Sequence, residues 1–80
     1  MSVTVLLFAS YADALGASQL QVELPDGATV ADVLADLMGR AGADALPPAP
    51  LVAVNERFAQ LERVVRPGDE VAIIPPVAGG

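Results

Sequence analysis

A single stretch of this chain, Thr29 to Arg40, carries apolar residues at helical spacing over more than two turns, and it limits the architecture to one main helix serving several short strands. Val30, Val33, Leu34, Leu37 and Met38 recur at i, i+3, i+4, i+7 and i+8, so they form one stripe, read here, Met38 included, as core. Thr29 suits the N-cap, and Asp32, three residues on, suits the positive end of the helix dipole. Asp36 and Arg40 are spaced as an i, i+4 pair on the opposite side. The helix is predicted to end between Gly39 and Gly42.

The remaining segments are strand-sized. Residues 2 to 9 are rich in β-branched and apolar side chains; Val3, Val5 and Leu7 fall on one face and Thr4, Leu6 and Phe8 on the other. Ser10-Tyr11-Ala12-Asp13 has capping-box-like spacing, opening a short helical turn that Gly16 can end. Leu20 to Leu24 alternates as a half-exposed strand does, and Pro25-Asp26-Gly27 is a turn. Ala43 to Pro50, with its prolines, reads as an irregular loop. Leu51 to Val54 is a strand, Asn55-Glu56-Arg57 a turn and Phe58-Ala59 a short return strand. Leu61 to Val65 forms a bridging turn that closes part of the core, and Pro67-Gly68 suits the centre of a type II turn before a last strand, Glu70 to Ile74.

This order gives an α+β chain, a β-grasp fold in which one helix lies across one face of a mixed sheet. Val30, Val33, Leu34 and Leu37 are predicted to pack on Val3, Val5, Leu7, Val71 and Ile73. The uncovered face should alternate to polar, yet Leu6, Phe8, Phe58 and Ile74 are apolar there. That face is therefore expected to be an interface.

After Ile74 the chain changes character. Pro75 and Pro76 have no backbone donor and hold φ near −65°, so they end the strand and favour an extended path. At about 3.1 Å per residue, Pro75 to Gly80 spans about 18 Å. The expected organisation is a body of residues 1–74 and a projecting tail of residues 75–80. Gly79 and Gly80 lack a Cβ, so such a stalk fits a tunnel too tight for other residues and presents a carboxylate open to ATP-dependent activation.

Composition excludes several chemistries. The 80 residues make one domain with room for one modest core. With no cysteine and no histidine, the usual thiolate and imidazole metal ligands and the common nucleophile and base pairs are missing, so no metal site is expected. Ten acidic residues against four basic ones give a net charge of −6, which repels phosphate backbones and argues against nucleic acid as a partner. The same charge favours a partner with a basic face. The longest apolar run, Val5 to Ala9, is far too short to span a membrane, and a cytoplasmic protein is expected.

Asn55-Glu56, the run Arg66-Pro67-Gly68-Asp69-Glu70-Val71-Ala72-Ile73-Ile74-Pro75-Pro76-Val77-Ala78-Gly79-Gly80, the N-terminal Val5 to Ala9 and the central Leu24 to Val30 together resemble the small subunits of molybdopterin synthase. These are ubiquitin-like sulfur carriers of the MoaD/ThiS superfamily, and the resemblance spans nearly the whole chain. It implies that the Gly80 carboxylate, on its Gly79 stem, is adenylated at the expense of ATP by an E1-like enzyme. It is then converted to a thiocarboxylate, which donates sulfur to a pyranopterin precursor in the large subunit. The resemblance further implies docking through Leu6, Phe8, Phe58 and Ile74, with Pro75, Pro76 and Val77 leading into the partner, and a heterotetramer of two small and two large subunits. On this reading the chain is a co-substrate and not itself an enzyme, and it holds no permanent cofactor. Two other roles fit the same tail: a sulfur carrier of thiamine or another biosynthetic pathway, and a protein modifier joined through Gly80 to lysines. A third, a binding module that never reacts, also remains open.

Overall fold

The computed structural model describes residues 1–40, 42–46 and 49–76. Five strands form one sheet: β1 (Ser2–Leu7), β2 (Gln19–Glu23), β3 (Leu51–Val54), β4 (Arg57–Phe58) and β5 (Glu70–Ile74). Their spatial order is β2-β1-β5-β3-β4. The central pair, β1 and β5, is parallel, and the outer pairings are antiparallel. A short helix, α1 (Ser10–Leu15), follows β1, and the main helix, α2 (Val30–Met38), joins β2 to β3. This is the predicted β-grasp architecture.

Strand alternation sets the two faces. In β1, Val3, Val5 and Leu7 are buried, and in β5 Val71 and Ile73 are buried. They share one core cluster with Val30, Val33 and Leu37 of α2, and Leu34 packs against its margin. The predicted partners of the helix are therefore the observed ones. Met38 corrects the reading, since its side chain is 60% exposed. At 3.6 residues per turn Leu37 lies about 20° from Val30 around the helix, whereas Met38 lies about 80° away, at the edge of the stripe. It also falls in the last turn. The i+8 position thus belongs to the helix margin.

The ends of α2 follow the sequence closely. The Asp32 carboxylate accepts the Thr29 N–H at 2.8 Å, and Arg40 pairs with Asp36 at 3.0 Å. Residues 61–65 clamp the start of the helix. The N–H groups of Val30 and Ala31 donate to the carbonyls of Arg63 and Leu61, and the Val65 N–H donates to the Ala28 carbonyl. First-turn donors that have no partner within the helix are thereby satisfied. Val65 is buried, which closes the core as expected.

Helix α1 departs from its predicted start. Its N-cap is Ala9, at a φ of 50°, with no side-chain cap, so the box read over Ser10 to Asp13 does not form. Pairing of β1 ends at Leu7, and the chain turns sharply at Phe8 and Ala9, which places Ser10 already inside the first turn. Gly16 does end the helix in the left-handed conformation, its N–H donating to the Ala12 carbonyl. The 43–50 loop contains a 3-10 turn at Ala43–Ala45. At the return strand, β4 stops at Phe58, but the Ala59 N–H still donates to the Val52 carbonyl.

Candidate docking face and the root of the tail

The sheet register assembles the open face row by row. One row runs Gln19, Leu6, Ala72, Ala53, Phe58 across all five strands. Beside it, toward the tail, Ile74 is paired with Leu51. On the other side the row Gln21, Thr4, Glu70 is polar. Side-chain hydrogen bonds tie its edge together, from Ser2 to Gln21 at 3.0 Å and from Gln21 to Thr4 at 2.9 Å. The face is thus apolar near the root of the tail and polar at the far end.

Leu6, Phe8, Ala53, Glu56, Phe58, Glu70, Ala72 and Ile74 line one open groove of about 300 Å³ on this face. The two alanines form its floor because their short side chains leave the flanking Leu6, Phe58 and Ile74 standing proud. Phe58 is 76% exposed and Phe8 46%, which is unusual for phenylalanine in a chain that has only two. Leu6 and Ile74 are half-buried. All four apolar residues predicted for the interface are therefore brought to one groove. Pro75, half-buried, and Pro76, exposed, follow directly after β5. Val77, Gly79 and Gly80 lie outside the described residues. The alanine floor and the acidic rim of Glu56 and Glu70 were missed from sequence. Period-2 alternation from Val71 and Ile73 would have placed Ala72 and Glu70 on the open face.

The acidic end of the groove is held by a polar clamp. Asn55 and Glu56 form the two-residue turn between β3 and β4, with φ of 51° and 70°, as a hairpin of this length favours. Asn55 tolerates that conformation and uses its side chain twice. Its amide donates to Asp69 at 2.9 Å, and its carbonyl oxygen accepts the Glu70 N–H at 3.0 Å. The other Asp69 oxygen accepts the Arg66 N–H at 2.8 Å, closing the turn in which Gly68 takes a φ of 87°. The entry to β5 is therefore pinned to the end of β3.

The hydrogen bond from Asn55 holds the Asp69 carboxyl below its ordinary range, with help from the Arg66 N–H and the charges of Arg63 and Arg66 and against a smaller effect of burial. A carboxylate whose folded pKa is depressed stabilises the fold above its unfolded pKa, and that contribution is lost as pH falls through the folded value. Asn55→Ala is expected to lower stability by about 1 kcal/mol at neutral pH, since it removes two solvent-exposed hydrogen bonds whose groups water can partner instead. Urea denaturation between about pH 7 and pH 3 checks this: the gap from wild type should narrow toward the acid end, where protonation of Asp69 weakens the Asn55–Asp69 bond that only the wild type makes. A gap that does not change with pH would remove Asp69 from the account.

Comparison with known proteins bears on what this face and tail serve. The model of the ThiS family matches residues 5–80. A molybdopterin synthase sulfur carrier subunit of Chlamydomonas reinhardtii is 36% identical, with 100% of both chains covered. That of Haemophilus influenzae is 35% identical over 98% of this chain and 99% of its own. Among solved structures, a putative molybdopterin converting factor subunit 1 of Pyrococcus furiosus superposes with a TM-score of 0.84 at 28% identity, covering 96% of this chain and 99% of that one. The small archaeal modifier protein 1 of Haloferax volcanii gives a TM-score of 0.81 at 30% identity, covering 95% and 98%. A chain in the BexX/CysO complex of Amycolatopsis orientalis gives 0.64 at 31% identity, covering 98% and 99%.

Proposed function

The chain belongs to the ThiS family, and from that premise we propose that it is the sulfur carrier subunit of a molybdopterin synthase, working in molybdenum cofactor biosynthesis. The observation that carries this reading is likeness over the full chain to proteins of that name, in a match that runs through Gly80.

The chemistry falls on the Gly80 carboxylate. A carboxylate is a poor electrophile, so an adenylating partner first joins it to the α-phosphorus of ATP, releasing pyrophosphate. Sulfide-level sulfur, delivered as hydrosulfide, then attacks the acyl carbon, AMP leaves with the C–O bonding pair, and a thiocarboxylate remains. Anionic at neutral pH and with a polarisable sulfur, it attacks the pyranopterin precursor held by the large subunit, its sulfur displacing an oxygen substituent; water then cleaves the acyl–sulfur bond, leaving sulfur on the precursor and returning the Gly80 carboxylate. The chain offers neither cysteine nor histidine for any of these steps, which suits a co-substrate whose catalysts are its partners. Docking through the open face would aim the tail, because β5 leads from the groove directly into Pro75. The two-and-two stoichiometry rests on the family resemblance, and a cytoplasmic setting on the longest apolar run, Val5 to Ala9, being far too short to span a membrane.

Mass spectrometry tests the assignment. Incubated with a matching adenylating enzyme, ATP and a sulfur donor, the chain should gain the mass of sulfur minus oxygen, with fragmentation placing the change on Gly80. A modification located elsewhere, or none, would overturn it.

A second reading has its own support in the likeness to the small archaeal modifier protein 1. As a modifier, the activated Gly80 would form an amide with a lysine of another protein. Conjugates that persist on reducing gels would favour that reading.

A further inference from the structure

The open face has a polarity that apolar docking alone does not exploit. Leu6, Ala72, Ala53 and Phe58 form a row of apolar side chains with little to distinguish one end of the sheet from the other. The flanks differ: Phe8 and Ile74 line the groove on the tail side, and Glu70 and Glu56 line it on the far side. Both acids are exposed, and among the described residues neither is ion-paired. Arg57, the cation next in sequence to Glu56, is paired with Val54, whose side chain is in the core, so strand alternation turns it toward the opposite face from Phe58.

We infer that the partner surface seated in this groove pairs an apolar projection with an arginine or lysine placed against Glu70 and Glu56, and that this charge contact fixes the direction in which the tail is delivered. The inference rests on the carrier reading and names the chemistry of its docking partner. Hydrophobic contact is non-directional. A cation facing the acidic end favours one orientation, and the reversed orientation would leave it against Phe8 and Ile74, desolvated and unpaired. The groove is continuous with the strand that carries the tail, so orientation there decides where Gly80 arrives.

The turn supplies a separate handle. Glu56 holds a φ of 70°, a conformation in which glycine is favoured, so Glu56→Gly relieves backbone strain while removing one acid. It should raise Tm by about 4 °C and weaken partner binding. Stability and docking would then move in opposite directions, which a structural role for Glu56 would not produce.

The test measures binding of the full chain to the purified large subunit at low and high salt. The double variant Glu56→Gln/Glu70→Gln should bind about tenfold more weakly at low ionic strength, mainly through a slower association rate, with a flatter salt dependence than wild type. A control of equal net charge, Asp13→Asn/Asp44→Asn, alters acids on α1 and the 3-10 turn, which pack together away from the groove, and should bind within about twofold of wild type. A Glu56/Glu70 variant that binds like wild type, or a control that weakens binding equally, would overturn the inference and leave the carrier reading standing. A wild-type chain that forms no complex would overturn both.

Discussion

Deleting Gly80 is expected to abolish sulfur transfer while leaving thermal stability unchanged. Among the described residues the last fully buried side chain is Ile73, and Pro76 is exposed. Removing one terminal residue therefore takes no described apolar contact from the fold. The chemistry is affected entirely, because the acyl group then sits on Gly79, one residue short of the position the adenylating enzyme would meet. Extending the chain beyond Gly80 with a bulky residue should have the same result, since the activated carbonyl would lie past the narrow stem. Gly79→Val separates the two roles. A branched Cβ restricts the backbone and widens the stem, so activation or transfer should suffer while affinity for the large subunit, which belongs to the sheet, changes little. The decisive assay is molybdopterin formation from purified components. If the Gly80 deletion still supports it, the tail is not the carrier, and a passive binding role becomes the better account.

The reading of the tail rests on residue types alone, two prolines that cannot extend a ladder, two glycines, and no cysteine or histidine in the chain, and Val77, Gly79 and Gly80 lie outside the described residues. The faces of the sheet were legible for a different reason. A period of 2 leaves no freedom once one face is buried, so Val3, Val5 and Leu7 had to oppose Leu6. Reading failed where tertiary context decides. Met38 satisfies the spacing of the stripe but lies at the helix margin, 60% exposed. Ser10 has the composition of a cap, yet the cap is Ala9 at positive φ, forced by the turn out of β1 and unmarked by any residue preference. The groove depended on what is small. Ala53 and Ala72 attract no notice as sequence, but they lower the floor between Leu6, Phe58 and Ile74 and so create the concavity.

Because Phe58, the most exposed apolar side chain lining that concavity, contributes little to the core, the groove can be disabled without unfolding the protein. Phe58→Asp is expected to weaken the complex with the large subunit by about 2 kcal/mol or more, roughly 30-fold in Kd, as for a central aromatic contact. Phe58 is 76% exposed in the isolated chain, so the substitution removes little buried area and Tm should stay within a few degrees of wild type. The loss in the complex has two sources: the apolar area no longer removed from water, and a carboxylate brought into a surface that excludes water. Ile74→Asp should weaken binding by a similar amount. It should also cost about 1 kcal/mol of stability, because Ile74 is half-buried and paired with Leu51 at the end of β5. Phe58→Asp is therefore the cleaner variant, and Ile74→Asp reports on the tail root. Its thiocarboxylate should still form if the adenylating enzyme reads the tail alone. If that enzyme also grips the sheet, activation should fall together with docking. Calorimetric titration of both variants against the large subunit decides the assignment: unchanged affinity in each would show that the exposed phenylalanine and the end of β5 lie outside the interface, and that the partner reaches Gly80 without using this face.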